Sequence, residues 1–269
     1  MKKTLCLAML LVFLFTVCGF AQAEDSLQNI MKKGVLRAGV KDLTPGFALA
    51  DVKTGEISGY DVDIVKAVAQ KLNARLDIVP VGEGDRISRL KEGAVDILAA
   101  TLTKTKARAE EIDFSYTYFL TGQKFLVKKG TVRRLTDLRD KKIGTVKGTT
   151  SEANVRKTLP KATIVLFSDY VPAFLALQKG EIAAITTDEA ILASILAKAD
   201  PGVYEIPGIA ISKEPYGLGI RKGDKSLLNF VNKTLLEMEK SGEAKRIYNK
   251  WFGPASRTPI KRVFKITSK

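Results

Sequence analysis

The chain has 269 residues, with 44 Lys plus Arg against 29 Asp plus Glu, a formal charge of +15, two cysteines and no histidine. Without an imidazole, a Ser-His-Asp triad, a Cys-His dyad, a His-ligated zinc and a histidine pH switch are all excluded within this chain. Both cysteines, Cys6 and Cys18, fall in the first twenty residues, so thiol chemistry is confined to that end.

Met1-Lys2-Lys3 opens the chain, followed by an apolar run over 5–18 and then Ala21-Gln22-Ala23. A basic start, an apolar stretch shorter than the ~20 residues of a membrane span and a small-x-small site describe a secretory signal peptide over 1–23. An uncleaved anchor is one alternative. A lipoprotein through Cys18 is another, although bulky Val17 stands where a small residue belongs. Cleavage after Ala23 leaves 246 residues with no cysteine and a charge of +13. A thiol-free exported chain depends on an apolar core for its stability, and this length fits one large domain or two ordinary ones. Lys and Arg are dispersed among acids with no basic patch interleaved with aromatics, so no nucleic-acid partner is expected.

Strand-like runs alternate with amphipathic helices, the pattern of a doubly wound α/β protein. The first strand is read at 35–40. A helix follows at 60–72, with Ile64, Val65, Val68, Ala69 and Leu72 on one face and Asp61 and Asp63 at its positive end. Strand 76–81, a short helix at 86–91 stopped by Gly93, and strand 95–102 come next. The second half repeats the order: strand 142–146, a helix from about 150, strand 164–167, helix 172–178, strand 182–186 and helix 189–198. LKEGAV at 90 and LQKGEI at 177 share a helix, a glycine stop and a buried strand, so two lobes of similar topology are expected. Extended segments at 124–128 and 216–221 are the expected crossings between them. They divide the mature chain into lobe 1, 24–124 and 218–269, and lobe 2, 125–217. The basic tail after Trp251-Phe252-Gly253, with Pro254 and Pro259, is expected to lie loosely on the surface.

Three places stand out for chemistry. In KGTTSE, 147–152, Thr149 with Glu152 matches a capping box and Gly148 permits close backbone approach, so free N–H groups would face an anion at a helix start; an ordinary capped helix is the plainer alternative. Arg108, in TLTKTKAR, carries a planar fork suited to a carboxylate, or else is a surface charge paired with Glu110 or Glu111. Asp188 sits where a strand meets a helix, a ligand position in open α/β folds and equally an N-cap position.

The chain resembles the extracellular solute-binding proteins of polar amino-acid ABC transporters, family 3, over nearly all of 30–253. The segments that carry the likeness are GVLRAGV at 34, GEISGYDVDIVKAVAQKL at 55, LKEGAVDILAATLTKTKAR at 90, IDFSYTY at 112, IGTVKGTTSE at 143, ITTDEAIL at 185, EPYGLGIRKGD at 214 and IYNKWFG at 247. The resemblance implies a two-lobe periplasmic-binding-protein fold of type II, with doubly wound lobes joined by two hinge strands. It also implies a periplasmic monomer that captures an amino acid between the lobes and delivers it to a membrane permease. No cofactor or metal is expected. Arg108 matches the clamp on the ligand α-carboxylate, with Thr101 and Thr103 contacting the ligand from lobe 1 and Thr149 and Thr150 from the helix start of lobe 2. Asp188 matches the acid that receives the α-ammonium.

Lys41 and Arg86 resemble the two cations of the glutamate/aspartate-binding branch, which would suit an acidic side chain and repel a basic one. The pattern departs from that branch where Ser88-Arg89 replaces Pro-Leu and Thr117 replaces proline. The alternative for both cations is rim charge that speeds association. Phe47 resembles an apolar wall over the ligand and reads equally as core. The sequence also resembles periplasmic cyclohexadienyl dehydratases in GTTSEANVRKTLPKA and ITTDEA, which would make Glu214 a general acid; the same EPYG context occurs in transport proteins. A ligand-sensing subunit is the third reading. The expectation is a binding protein, not an enzyme.

Overall fold

A computed structural model of the protein describes residues 25–268; the expected signal peptide lies outside them. In chain order the elements are α1 (Ser26–Lys33), β1 (Val35–Val40), a small antiparallel sheet of β2 (Leu43–Thr44), β3 (Ala48–Ala50) and β4 (Ile57–Ser58), α2 (Tyr60–Lys71), β5 (Arg75–Pro80), α3 (Arg86–Lys91), β6 (Ile97–Leu98), α4 (Lys106–Glu111) and β7 (Ile112–Thr121). There follow β8 (Gln123–Lys128), β9 (Lys142–Val146), α5 (Thr150–Thr158), β10 (Thr163–Phe167), α6 (Tyr170–Lys179), β11 (Ala184–Asp188), α7 (Glu189–Leu196) and β12 (Tyr204–Glu205). The chain then returns through β13 (Glu214–Arg221) to α8 (Lys225–Ser241) and α9 (Glu243–Phe252).

Two five-stranded sheets have the orders β5-β1-β6-β13-β7 and β10-β9-β11-β8-β12. In each, the first three strands are parallel, the fourth runs against them and the fifth runs against the fourth. The shared order is the structural form of the helix-glycine-strand repeat at 90 and 177. Gly180 stops α6 in the left-handed conformation, φ +76°, which glycine adopts without a side-chain clash. α2 buries Ile64, Val65, Val68 and Ala69 and keeps Asp61 and Asp63 in its first turn.

The chain leaves the first sheet at Thr121 and enters the second at Gln123. The expected boundaries at 124/125 and 217/218 fall inside β8 and β13. Apolar extended segments are themselves ladder strands, and the link needs only Gly122 on one side and the residues just before Glu214 on the other. These two links run side by side: Ile211 N–H donates to Gln123 O at 3.0 Å. A Cβ on Gly122 would meet Ser212 O at 2.8 Å, so the approach requires glycine.

The tail corrects its expectation. Arg262 forms a bidentate pair with Glu239 at 3.0 and 2.5 Å, and Ile266 N–H donates to the same carboxylate at 3.1 Å. The Arg262 guanidinium lies 4.7 Å from the Phe264 ring centre, and Phe264 in turn packs on Phe119 and Tyr248. Ile266 is buried in the core. The apolar residues alternate with lysine and arginine, so the segment docks one face and solvates the other. The strand expected at 95–102 is also shorter, because Thr101 turns into the left-handed region at φ +46°.

Candidate functional site

Parallel strands of both sheets end at one small shared space of about 10 Å³. Lys41 follows β1, Glu83 and Arg86 follow β5, and Thr101 and Thr103 follow β6; Arg108 comes from α4. Across from them lie Thr149, Thr150 and Ser151 after β9, Tyr170 after β10, and Thr187 and Asp188 at the end of β11. Carboxyl ends of parallel strands are where open α/β sheets place ligands, because the loops there diverge. A larger groove of about 570 Å³ lies at the opposite end of β1. Its main charges are already matched, with Arg37 on Asp96 at 2.7 Å and Arg221 on Val95 O and Ser26.

Thr105 caps α4 by accepting from Arg108 N–H at 3.2 Å, which sets the arginine at the start of that short helix. Its guanidinium donates to Thr103 O at 3.0 Å and pairs with no carboxylate among the described residues. Burial first, then the nearby Arg86 charge, push its pKa down to about 10. It stays protonated at neutral pH, a cation withdrawn from water and lacking an anion. Thr101 lines the same space; its N–H donates at 2.9 Å to buried Asp61, which also accepts from Tyr118 Oη at 2.7 Å. That carboxylate holds Thr101 in its left-handed backbone, a conformation costing on the order of 1 kcal/mol.

Asp188 occupies the N-cap position of α7, but its side chain makes no bond to the helix N–H groups. Oδ2 accepts from Tyr216 Oη of β13, while Oδ1 is buried with no hydrogen-bond partner among the described residues. Burial and the charge of Glu214 push the carboxyl up to about 7. A raised carboxyl favours the folded form when protonated: this contribution is full below the ordinary value of 3.8 and is lost as pH rises through about 7. An ammonium group brought to Oδ1 would favour the carboxylate instead. For a ligand whose ammonium group binds Oδ1, affinity is therefore expected to rise between about pH 5 and about pH 7.5, with proton release on binding at the lower end. Calorimetry in buffers of different ionisation enthalpy measures both, and a flat affinity across that window would remove Asp188 as the titrating group.

At the second sheet Thr149 Oγ1 accepts from Glu152 N–H at 3.1 Å, as the capping pattern predicts. Glu152 reaches back to Gly148 N–H at 3.0 Å, and Gly148 holds φ +78°. The N–H groups of Thr150 and Ser151 sit in the first turn of α5, where no intrahelical acceptor exists. The Thr150 hydroxyl turns away from the space and donates to Glu214 at 2.9 Å. Glu214 also accepts from Asn154 at 2.9 Å and Ser212 at 2.5 Å. Three neutral donors thus occupy the carboxylate that the dehydratase reading needs, and it does not line the space.

Lys41 and Arg86 are not rim charges: they are 6% and 3% exposed. Lys41 Nζ donates to Glu83 Oε1 at 2.5 Å. Arg86 Nη1 donates to Ala100 O at 2.6 Å and stands 2.8 Å from Glu83 Oε2. That second contact lacks hydrogen-bond alignment, since Oε2 has no hydrogen-bond donor. Burial alone would raise the Glu83 carboxyl, but Arg86 and Lys41 outweigh it and hold it below its ordinary value. Sequence reading passed over Glu83; its signal was an acid three residues before Arg86 in a glycine-flanked loop, VGEGDR.

Phe47 departs from its expected place. It is fully buried among Tyr60, Phe119, Tyr216 and Phe252, with ring centres 4.9 to 6.1 Å away, and does not reach the space. A single aromatic in a loop carries no periodicity to tell wall from core, and here the neighbouring aromatic faces claim it.

The chain is similar to known proteins over most of its length. The ABC transporter glutamine-binding protein GlnH of Bacillus subtilis is 36% identical over 93% of this chain and 97% of its own. The glutamate/aspartate import solute-binding protein of Escherichia coli K12 is 32% identical over 87% of this chain and 84% of its own. Among solved structures, an ancestral arginine-binding protein bound to glutamine matches with a TM-score of 0.77 and 37% identity, covering 82% of this chain and 98% of that one. The ancestral amino acid-binding protein AncCDT-1, a precursor of cyclohexadienyl dehydratase, matches with a TM-score of 0.78 and 36% identity over 84% and 99%. The curated relatives are named as solute-binding proteins, and this chain too is a binding protein rather than an enzyme. The family pattern of the bacterial extracellular solute-binding proteins, family 3, runs through residues 36–254, and the chain belongs to that family.

Proposed function

We propose that the protein is the exported, monomeric substrate-binding component of an ABC transporter, and that it carries a polar α-amino acid to a membrane permease. One observation carries this reading: among the described residues the Arg108 guanidinium pairs with no carboxylate and Asp188 Oδ1 has no hydrogen-bond partner, and both residues line one small space, from α4 and from the end of β11. A zwitterion supplies the missing partner of each. The α-carboxylate would also take the free N–H groups of Thr150 and Ser151, whose helix end carries partial positive charge. Thr101 and Thr103 would hold the ligand from the first sheet.

Entry requires the lobes to part, since about 10 Å³ holds no more than one water. The two links at Gly122 and before Glu214 are the proposed hinge, and ligand shifts the population toward the closed form by contacting both sides. The acidic side chain expected from Lys41 and Arg86 gains no support, because both cations already contact Glu83. Relatives differ in the ligand their names record, glutamine in one and glutamate with aspartate in another.

A thermal-shift screen of the purified, ligand-stripped mature protein against the common L-amino acids tests the reading. At a hundred times Kd a true ligand stabilises by about 2.7 kcal/mol, a rise in Tm of about 5 to 10 °C for a protein of this size. No shift with any amino acid would refute it.

A further inference from the structure

We infer that Glu83 is the residue that selects the ligand's side chain, accepting a hydrogen bond from a carboxamide and turning away a carboxylate. The inference rests on the amino-acid reading of this site. Lys41, Glu83 and Arg86 contact one another and line the space from the loops after β1 and β5. With Glu83 counted, the three sum to one positive charge rather than two, and both cations are already in contact with its carboxylate.

The two Glu83 oxygens are not equivalent. Oε1 takes the Lys41 ammonium at 2.5 Å. Oε2 is buried, touches Arg86 without hydrogen-bond alignment and has no donor among the described residues. A buried carboxylate oxygen without a donor is costly, and a ligand N–H would remove that cost. A side-chain amide offers such an N–H together with a carbonyl that accepts from Lys41 or Arg86. A carboxylate offers no N–H, and it would set like charge against Glu83 in a poorly hydrated space. A basic side chain would meet Glu83 favourably but also Lys41 and Arg86 at close range. Glu83 therefore separates glutamine or asparagine from glutamate or aspartate, which differ by a single group.

Calorimetric titration of the ligand-stripped mature protein with glutamine, asparagine, their acids and L-glutamate γ-methyl ester tests this. The ester is neutral and close in shape to glutamine but has no side-chain N–H. At least one amide is expected to bind about tenfold or more tighter than its acid, and glutamine about tenfold tighter than the ester, because a buried acceptor left unpaired penalises the wrong ligand. Glu83→Gln should shrink the amide-to-acid ratio by about tenfold or more, since it removes the repelling charge. These wild-type comparisons decide the matter even if Glu83→Gln folds poorly. An ester that binds as well as glutamine, or an acid that matches its amide, would overturn the role of Glu83 and leave the amino-acid site standing. Failure of every amino acid in the thermal-shift screen would instead remove the reading on which the inference rests.

Discussion

Arg108→Ala is expected to weaken amino-acid binding by about 100-fold or more while leaving the unliganded fold intact. Among the described residues the guanidinium pairs with no carboxylate, and it donates a hydrogen bond to Thr103 O. A charge-assisted pair made in a largely dry space, once one member is removed, costs about 3 kcal/mol or more, which is that fold-change in Kd. The same reasoning fixes the sign of the stability effect. Deleting an unpaired and largely desolvated cation removes a burial penalty, so the Tm of the ligand-free variant should equal or exceed that of the wild type. Arg108→Lys keeps the charge and loses the planar fork, so it should recover only a small part of the affinity. Calorimetry and thermal denaturation on the same samples separate the two quantities. Kd within about threefold of wild type, or a variant that loses binding only because it unfolds, would refute the assignment.

Removal of residues 260–269 is expected to lower the Tm by about 10 °C or more and to leave affinity unchanged well below the new transition. This truncation deletes the Arg262 pair with Glu239, the Phe264 ring on Phe119 and Tyr248, and buried Ile266. Burial of one such aliphatic side chain contributes about 1.5 to 3 kcal/mol, the aromatic contacts add to it, and each kcal/mol moves Tm by about 2 to 4 °C at this size. Glu239, left without its bidentate partner, adds a desolvated charge to the loss. Among the described residues, none of 260–268 lines the space, so binding is the control. Ile266→Ala should reproduce a part of the drop, about 2 kcal/mol or more. A truncated protein whose Tm falls by less than about 3 °C would show the tail to be dispensable.

The helices and strands were largely legible because each buries one face, and burial writes its period into the sequence. Ile64, Val65, Val68 and Ala69 recur at helical spacing and are among the buried residues of α2. The bounds of β1 and β9 agree residue for residue with the apolar runs at 35–40 and 142–146. Thr149 with Glu152 announced the start of α5 for the same local reason, since a cap joins residues only three apart. Resemblance to the family then singled out Arg108 and Asp188, which spacing alone left as a surface charge and an N-cap. The tail was misjudged because Phe264 and Ile266, two residues apart and followed by no regular element, leave no period to read.

From the residues alone came the fold class, the repeated helix-glycine-strand order, the absence of imidazole and thiol chemistry from residues 25–268, and the helix start whose first N–H groups lack intrahelical acceptors. Tertiary contacts, in contrast, set how Lys41, Glu83 and Arg86 share their charges. Lys41 and Glu83 are 42 residues apart in the chain and meet at 2.5 Å; Tyr216 and Asp188 come from different sheets and share a hydrogen bond. Local patterns record which face of an element is buried. They carry no record of which charges from separate loops are desolvated together, and in a space of low polarizability that pairing sets both the partner each charge still lacks and the ligand that can supply it.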